Sequence, residues 1–229
     1  MPNSNVVHRT PRKVEIFFSH STKDIRIVQE VADVLQSRFI STFVAHGALK
    51  ISDKWRDQIL VHLERAEALV VFLTKNFHAS DWTDQEVGYF MQRENPLIIC
   101  LRLGRRSPYG FLEQYQTVKL TGKSLSAIAS SVLSAMVEDD ALSGRAARRV
   151  VTGLCESNSY NQSIAYSEVL DKTPRISAAD LNRIIQASLD NNQIANCQKA
   201  IRIIGRMVHA NRKRISKNLL NKFTDFFLL

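Results

Sequence analysis

The sequence predicts an α/β domain with a central parallel five-stranded sheet, followed by an all-α domain. Two observations carry this prediction. Up to Gly122, short apolar runs alternate with stretches whose apolar residues recur at helical spacing, the pattern of a parallel sheet flanked by helices. Beyond Gly122 the chain shows helical patterns separated by polar breaks and no convincing strand. We therefore expect one domain over residues 12–122 and a helical domain over 123–229.

Five segments of the first half are typical of strands. In chain order they are VEIFFS (14–19), STFVA (41–45), ALVVFLT (68–74), PLIICLRL (96–103) and QTVKL (116–120). The third is apolar throughout, as strands are when helices cover both faces of the sheet. Sites in such sheets form at the carboxyl ends of the strands, so the residues that follow each strand are the first candidates for chemistry.

Four helical patterns mark the second half: SLSAIASSVLSAMV, SGRAARRVVTGLC, SAADLNRIIQASL and QIANCQKAIRIIGRMV. Ser177 followed by Asp180 predicts a capping box at the start of the third pattern, and DNN (190–192) predicts a turn after it. We expect a helical bundle or a short stack of helix pairs.

The net charge of +9 lies mostly in this second half, where residues 199–222 hold eight Lys/Arg and no Asp or Glu. Such a run is either a phosphate-binding face or a solvated helix face. Because no aromatic residues interleave with it for base stacking, we favour the solvated face and expect no nucleic-acid partner.

Composition also limits location and metal binding. The amino-terminal residues lack the apolar run of a signal peptide, and no stretch approaches the roughly 20 apolar residues that span a bilayer. We expect a cytoplasmic protein with no membrane partner. The three cysteines are far apart and outside any zinc-ligand pattern, so neither a disulfide framework nor a metal site is indicated.

The motifs of several common enzyme and nucleotide-binding classes are absent from the sequence. The sequence has no GxGxxG or GxxxxGK[ST] glycine cradle for phosphates and no GxSxG nucleophile turn. A magnesium-binding receiver domain needs clustered carboxylates at the strand ends, and Asp24 stands alone after the first strand. What remains is ASDWTDQEVGYF (79–90), a predicted helix capped by Ser80 or Asp81 that places Glu86 among aromatic residues.

The order of these segments resembles a Toll/interleukin-1 receptor (TIR) domain over roughly Arg12 to Gly122. The resemblance rests on an F-x-S opening (Phe17 to Ser19), the loop after the second strand, W-x-x-x-I (Trp55, Ile59) and S-x-W-x-x-x-E (Ser80, Trp82, Glu86). It implies a flavodoxin-like fold for the first domain and says nothing about the second.

In enzymatic TIR domains, a glutamate at the position matching Glu86 is required to cleave the bond between nicotinamide and ribose in NAD+. The resemblance therefore implies that Glu86 is catalytic, with NAD+ as substrate and no cofactor. It places a nucleotide pocket at Phe18, Ser19 and Ser21. Two further expected contacts are Trp82, which would exclude water, and Trp55, which would stack on adenine across a subunit interface.

The resemblance is compatible with three alternative functions. The first is an NAD+ hydrolase or cyclase of innate immune, antiphage or cell-suicide signalling, activated by self-association, whose helical domain senses an unknown trigger or drives oligomerisation. The second is a non-enzymatic TIR adaptor that uses residues 46–54 for homotypic contacts. The third, a nucleoside deoxyribosyltransferase-like enzyme, calls for a second sugar-binding acid that the sequence does not reveal. We favour the first.

Overall fold

Five parallel strands form the sheet of the α/β half. The computed structural model describes residues 14–227 except Phe39, 46–52, Arg106, Gln116 and Arg175, and except the side chains of 53–55. The strands are β1 (Glu15–Ser19), β2 (Ser41–Val44), β3 (Ala68–Leu73), β4 (Ile98–Arg102) and β5 (Thr117–Lys119). Their spatial order is β2-β1-β3-β4-β5, the flavodoxin-like order, which confirms the predicted fold class.

Helices cover both faces of this sheet. They are α1 (Ile25–Gln36), α2 (Asp53–Arg65), α3 (Thr83–Met91) and α4 (Leu125–Glu138). Successive strand residues point to opposite faces, so Phe18 joins the core beneath α1 and α4 whereas Phe17 joins the core beneath α2 and α3. All six residues of β3 are buried, as expected of a strand packed on both faces.

The helical half consists of α5 (Ser143–Cys155), α6 (Tyr160–Asp171), α7 (Ala178–Asp190), α8 (Asn192–Ala195), α9 (Gln198–Ala210) and α10 (Lys217–Phe227). Ser177 is the N-cap of α7, since the Asp180 N–H donates to Ser177 Oγ at 3.0 Å, and the Ser177 hydroxyl group donates to Asp180 Oδ2 at 2.7 Å. The sequence patterns did not indicate α6. Its buried face includes Ser163 and Ser167, so it lacks a continuous apolar stripe.

Helix α4 is shared by the two halves. It packs against α1 and the sheet on one side and against α5 and α6 on the other. Arg38, at the end of α1, donates to Ser126 Oγ at 2.5 Å and to Ser130 Oγ at 3.0 Å, both on α4. Its guanidinium also lies 5.6 Å from the centre of the Tyr166 ring on α6. The division into 12–122 and 123–229 stays a prediction, with one buried core spanning it.

No helix in the described ranges has the length and apolar character needed to cross a bilayer. Within those same ranges, no group of three or more His, Cys, Asp or Glu side chains has an arrangement that would hold a metal ion. The expected cytoplasmic location stays a prediction.

Candidate active site

The carboxyl end of β1 lies at the point where the strand order reverses. From β1 the chain goes to β2 on one side and then returns to β3 on the other, and such switch points open a crevice at the carboxyl edge of the sheet. Ser19 is the last residue of β1 and pairs in register with Val71 of β3. By strand alternation its side chain lies on the same face as Phe17, towards α3.

A hydrogen-bonded pair of buried side chains occupies this crevice. Ser19 Oγ donates to Glu86 Oε2 at 2.6 Å. Ser19 is 0% exposed and Glu86 is 5% exposed. Glu86 belongs to the buried face of α3 together with Thr83, Val87 and Phe90, so its carboxylate points at the sheet and not at solvent. A carboxylate in that position is not explained by solvation of the helix surface.

Burial raises the pKa of Glu86 from 4.5 to about 7, and the hydrogen bond from Ser19 lowers the pKa in the opposite direction. Desolvation penalises the charged form of a carboxyl group, whereas a donor to the carboxylate favours that form. Glu86 is consequently held close to the midpoint of its titration near neutral pH. Such tuning is common at catalytic carboxylates.

Asp24 ties together the two loops that flank the crevice. Its carboxylate accepts a hydrogen bond from Thr74 Oγ1 at 2.5 Å and another from Asn76 Nδ2 at 2.8 Å. Thr74 and Asn76 follow β3, whereas Asp24 follows β1. In the sequence alone, Asp24 is an isolated acid after the first strand. Its contacts with Thr74 and Asn76 could have been expected from one rule: polar residues that follow neighbouring parallel strands meet at the same edge of the sheet.

The start of α3 differs from the prediction. The helix begins at Thr83, and its N-cap is Trp82, not Ser80 or Asp81. Thr83 Oγ1 donates to the Phe77 carbonyl at 2.8 Å, which anchors the first turn to the preceding 3₁₀ turn, and Ser80 lies outside the helix. Trp82 is half-buried, and its carbonyl accepts from the Glu86 N–H at 2.9 Å. Trp82 and Glu86 therefore stand one turn apart, as the motif implied.

The other predicted binding residues are placed differently. The Phe18 side chain is fully buried on the opposite face of the sheet, 5.2 Å from the Phe72 ring between centroids, because adjacent strand residues alternate. The structure therefore does not bring it to Glu86. Ser21 is buried at the edge of the sheet and accepts from the Lys23 N–H at 3.4 Å. Trp55 lies in the first turn of α2, and its side chain is outside the described residues.

One cation on the crevice side of the sheet is not predicted by any local pattern of the sequence. Arg102, the last residue of β4, pairs in register with Leu73 and shares the parity of Cys100, so it lies on the face that carries Ser19. Its Nε is buried and has no hydrogen-bond partner among the described residues. Finding it required the strand order, because β4 lies two strands from β1 in space and far from it in sequence.

Fold and site together define a small parallel α/β domain with a buried carboxylate at the switch point of its sheet. Residues 16–131 match the family of TIR domains, which is half of the chain, and the chain belongs to that family. The match ends inside α4.

One curated relative is a 2′ cyclic ADP-D-ribose synthase, AbTIR, of Acinetobacter baumannii. The two proteins are 27% identical over 92 residues, which make up 40% of this chain and 34% of the relative. The chain thus spans about a third of the length of that relative. No solved structure gives a significant match.

Proposed function

We propose that this protein cleaves the bond between nicotinamide and ribose in NAD+, with Glu86 as the catalytic residue. The observation that carries the proposal is the buried Ser19–Glu86 pair at the switch point of the sheet. The activity of the relative from Acinetobacter baumannii, a 2′ cyclic ADP-D-ribose synthase, supports the same substrate class.

The chemistry suits a single carboxylate. The nicotinamide nitrogen takes the electron pair of the breaking bond and leaves as a neutral ring, so no general acid is required. The ribose carbon becomes oxocarbenium-like, and the ionised form of Glu86 stabilises its positive charge, as carboxylates do in glycoside hydrolysis. Attack by water then yields ADP-ribose and a proton, whereas attack by a hydroxyl group of the same molecule yields a cyclic product and a proton.

Several neighbouring groups would hold the substrate. Ser19 would orient the Glu86 carboxylate, and Ser21 follows Ser19 by two residues at the same edge of the sheet. Trp82 would shield the reacting ribose from water. Arg102 is positively charged and lies on the same face of the sheet as Ser19, so it would bind the diphosphate of NAD+. Trp55 stays a proposed adenine contact, and Phe18 would support the pocket from behind through packing.

The biological role is proposed on the same basis. NAD+ consumption fits innate immune, antiphage or cell-suicide signalling, in which the TIR domain self-associates to become active. The helical half would sense the trigger or drive oligomerisation. Because α4 packs against both halves, a rearrangement of the helices has a direct route to α1 and the sheet.

Product analysis tests this function. Purified full chain at high concentration is incubated with NAD+, with and without a crowding agent, and the products are separated by chromatography with mass detection. We expect loss of NAD+ with release of nicotinamide, and the mass of the second product separates hydrolysis from cyclisation. Absence of turnover in protein whose assembly is confirmed by light scattering would instead support the adaptor function.

A further inference from the structure

A cleft of about 750 Å³ separates the edge of the sheet from the helical half. One wall consists of the first residues of β4 together with β5, and the other comes from α4 and α6. Ile99 and Val118 belong to the core beneath α1 and α4, so the cleft lies on the face of the sheet opposite to Glu86. Clefts of this size between two structural units are where small ligands commonly bind.

The charges in this cleft are segregated along α4. Lys123 lies just before the amino-terminal end of the helix, whereas Glu138 and Asp139 lie at its carboxyl-terminal end. Between them, hydroxyl groups of the helix face the cleft: Ser130, Ser131 and Ser134. A ligand that spans the cleft therefore meets cations and hydroxyl donors at one end and carboxylates at the other.

Part of this polar lining is available to a ligand. Glu168 is paired with Lys199 at 2.6 Å, and Lys123 Nζ reaches Ser131 Oγ at 3.5 Å. By contrast, the side-chain ammonium group of Lys172, which also lines the cleft, forms neither an ion pair nor a hydrogen bond with another described residue. Lysine ammonium groups and serine hydroxyl groups that line one cleft are suited to a phosphate.

We propose that this cleft binds a nucleoside phosphate. The lysines and serine hydroxyls would hold the phosphate groups, and the apolar floor at Ile99 and Val169 would support the base. Ribose hydroxyls and exocyclic amino groups are hydrogen-bond donors, and the carboxylates at the far end accept from such groups. This binding site is independent of the proposed NAD+ cleavage and lies on the other face of the sheet.

A ligand bound in the cleft would affect the α/β half through its contacts with α4. Ser130 lines the cleft and also accepts from the Arg38 guanidinium at 3.0 Å. A ligand that contacts α4, α6 and β5 together would therefore restrict the same helix that holds the end of α1. The helical half then acts as a nucleotide sensor for the domain that carries Glu86.

Calorimetric titration of the full chain with three probes tests the proposal. We expect ADP to bind more tightly than either adenosine or inorganic pyrophosphate, because each fragment satisfies only one end of the cleft. In a Lys123→Gln/Lys172→Gln variant, the affinity for ADP should fall by at least about tenfold, since hydrogen bonds to charged groups are lost. Both lysines are exposed, so the variant should retain its fold.

A matched double variant, Lys213→Gln/Lys217→Gln, removes two exposed lysines outside the cleft and should bind ADP as the wild type does. Equal affinity for ADP and pyrophosphate would show that the cleft binds anions without recognising the nucleoside, and would overturn the proposal. Loss of ADP binding in Arg102→Gln but not in the Lys123/Lys172 variant would place ADP beside Glu86 and overturn it as well.

Discussion

Glu86 is subject to two opposing requirements. Catalysis needs its ionised form, whereas its burial beside β1 disfavours that form and raises its pKa to about 7. Ser19 moderates the conflict because its hydroxyl group donates to the carboxylate. The side chain that would stabilise a cationic sugar is therefore also one that the folded protein holds at a cost.

The pH dependence of the rate should follow this titration. We expect kcat/KM for NAD+ to rise with pH through about pH 7, as Glu86 loses its proton. In Ser19→Ala the lost hydrogen bond no longer lowers the pKa, so the rise should move to higher pH. A pH–rate profile of both proteins measures this shift, with Ser216→Ala as the control that deletes an exposed hydroxyl group in the helical half. Identical profiles for Ser19→Ala and wild type would contradict the assigned coupling.

The same pKa shift predicts how stability depends on pH. The folded pKa is about 7 and the unfolded value is about 4.5, so the unfolded chain ionises first and stability falls as pH rises between these values. Above that window the loss is on the order of 3 kcal/mol, at 1.36 kcal/mol per pKa unit.

Glu86→Gln should therefore be more stable than wild type near pH 8, by a margin that disappears near pH 4. Chemical denaturation at both pH values measures the free energy of unfolding. The exposed glutamate just beyond α3 provides the control, because Glu94→Gln should leave the pH dependence unchanged. A Glu86→Gln variant that is less stable than wild type near pH 8 would refute the account of burial.

At the scale of elements, the sequence predicted much of the sheet and less of the site. Each strand was predictable to within two residues. The central strands β3 and β4 are the clearest, because a buried parallel strand is a short apolar run. Glu86 was found through its motif. The hydrogen bonds of Asp24 with Thr74 and Asn76 could not be predicted from the local sequence, because no local pattern indicates which loops become neighbours. Helix α6 was missed since serines occupy part of its buried face.

Strand order gives Arg102 its proposed role. The parity of β4 places Arg102 on the face of Ser19, at the carboxyl edge of the sheet. If it binds the diphosphate, Arg102→Gln should raise KM for NAD+ by about tenfold or more and change kcat much less, because a contact distant from the ribose contributes to uniform binding. Steady-state kinetics measure both constants. Arg102→Lys should recover part of the affinity, and an unchanged KM in Arg102→Gln would exclude the contact.

At the scale of the whole molecule, the buried core extends from Val14, just before β1, to Phe223 in α10. Helix α4 covers one face of the sheet and is at the same time the surface on which α5 and α6 pack. The sequence signalled a change of composition at Gly122 but not that the helix beyond it completes the α/β half. Periodicity identifies an amphipathic helix without identifying its partner.

Truncation tests this shared core. A chain that ends at Gly122 loses α4 and exposes apolar residues of α1 and the sheet, such as Val31 and Val70. We expect this fragment to aggregate or to lack a cooperative unfolding transition, whereas a fragment that continues through residue 139 should fold better because α4 is present. Circular dichroism and thermal melting compare the two fragments. A stable, cooperative fragment ending at Gly122 would show that the first half folds without α4.

The central claim is that Glu86 makes this TIR domain an NAD+-cleaving enzyme, and the rate of nicotinamide release under assembling conditions tests it most directly. Wild type and Glu94→Gln should release nicotinamide at the same rate. Glu86→Gln should be slower by at least about a hundredfold, the scale expected when one group that stabilises transition-state charge is removed. Nicotinamide release by Glu86→Gln at the wild-type rate would contradict the claim.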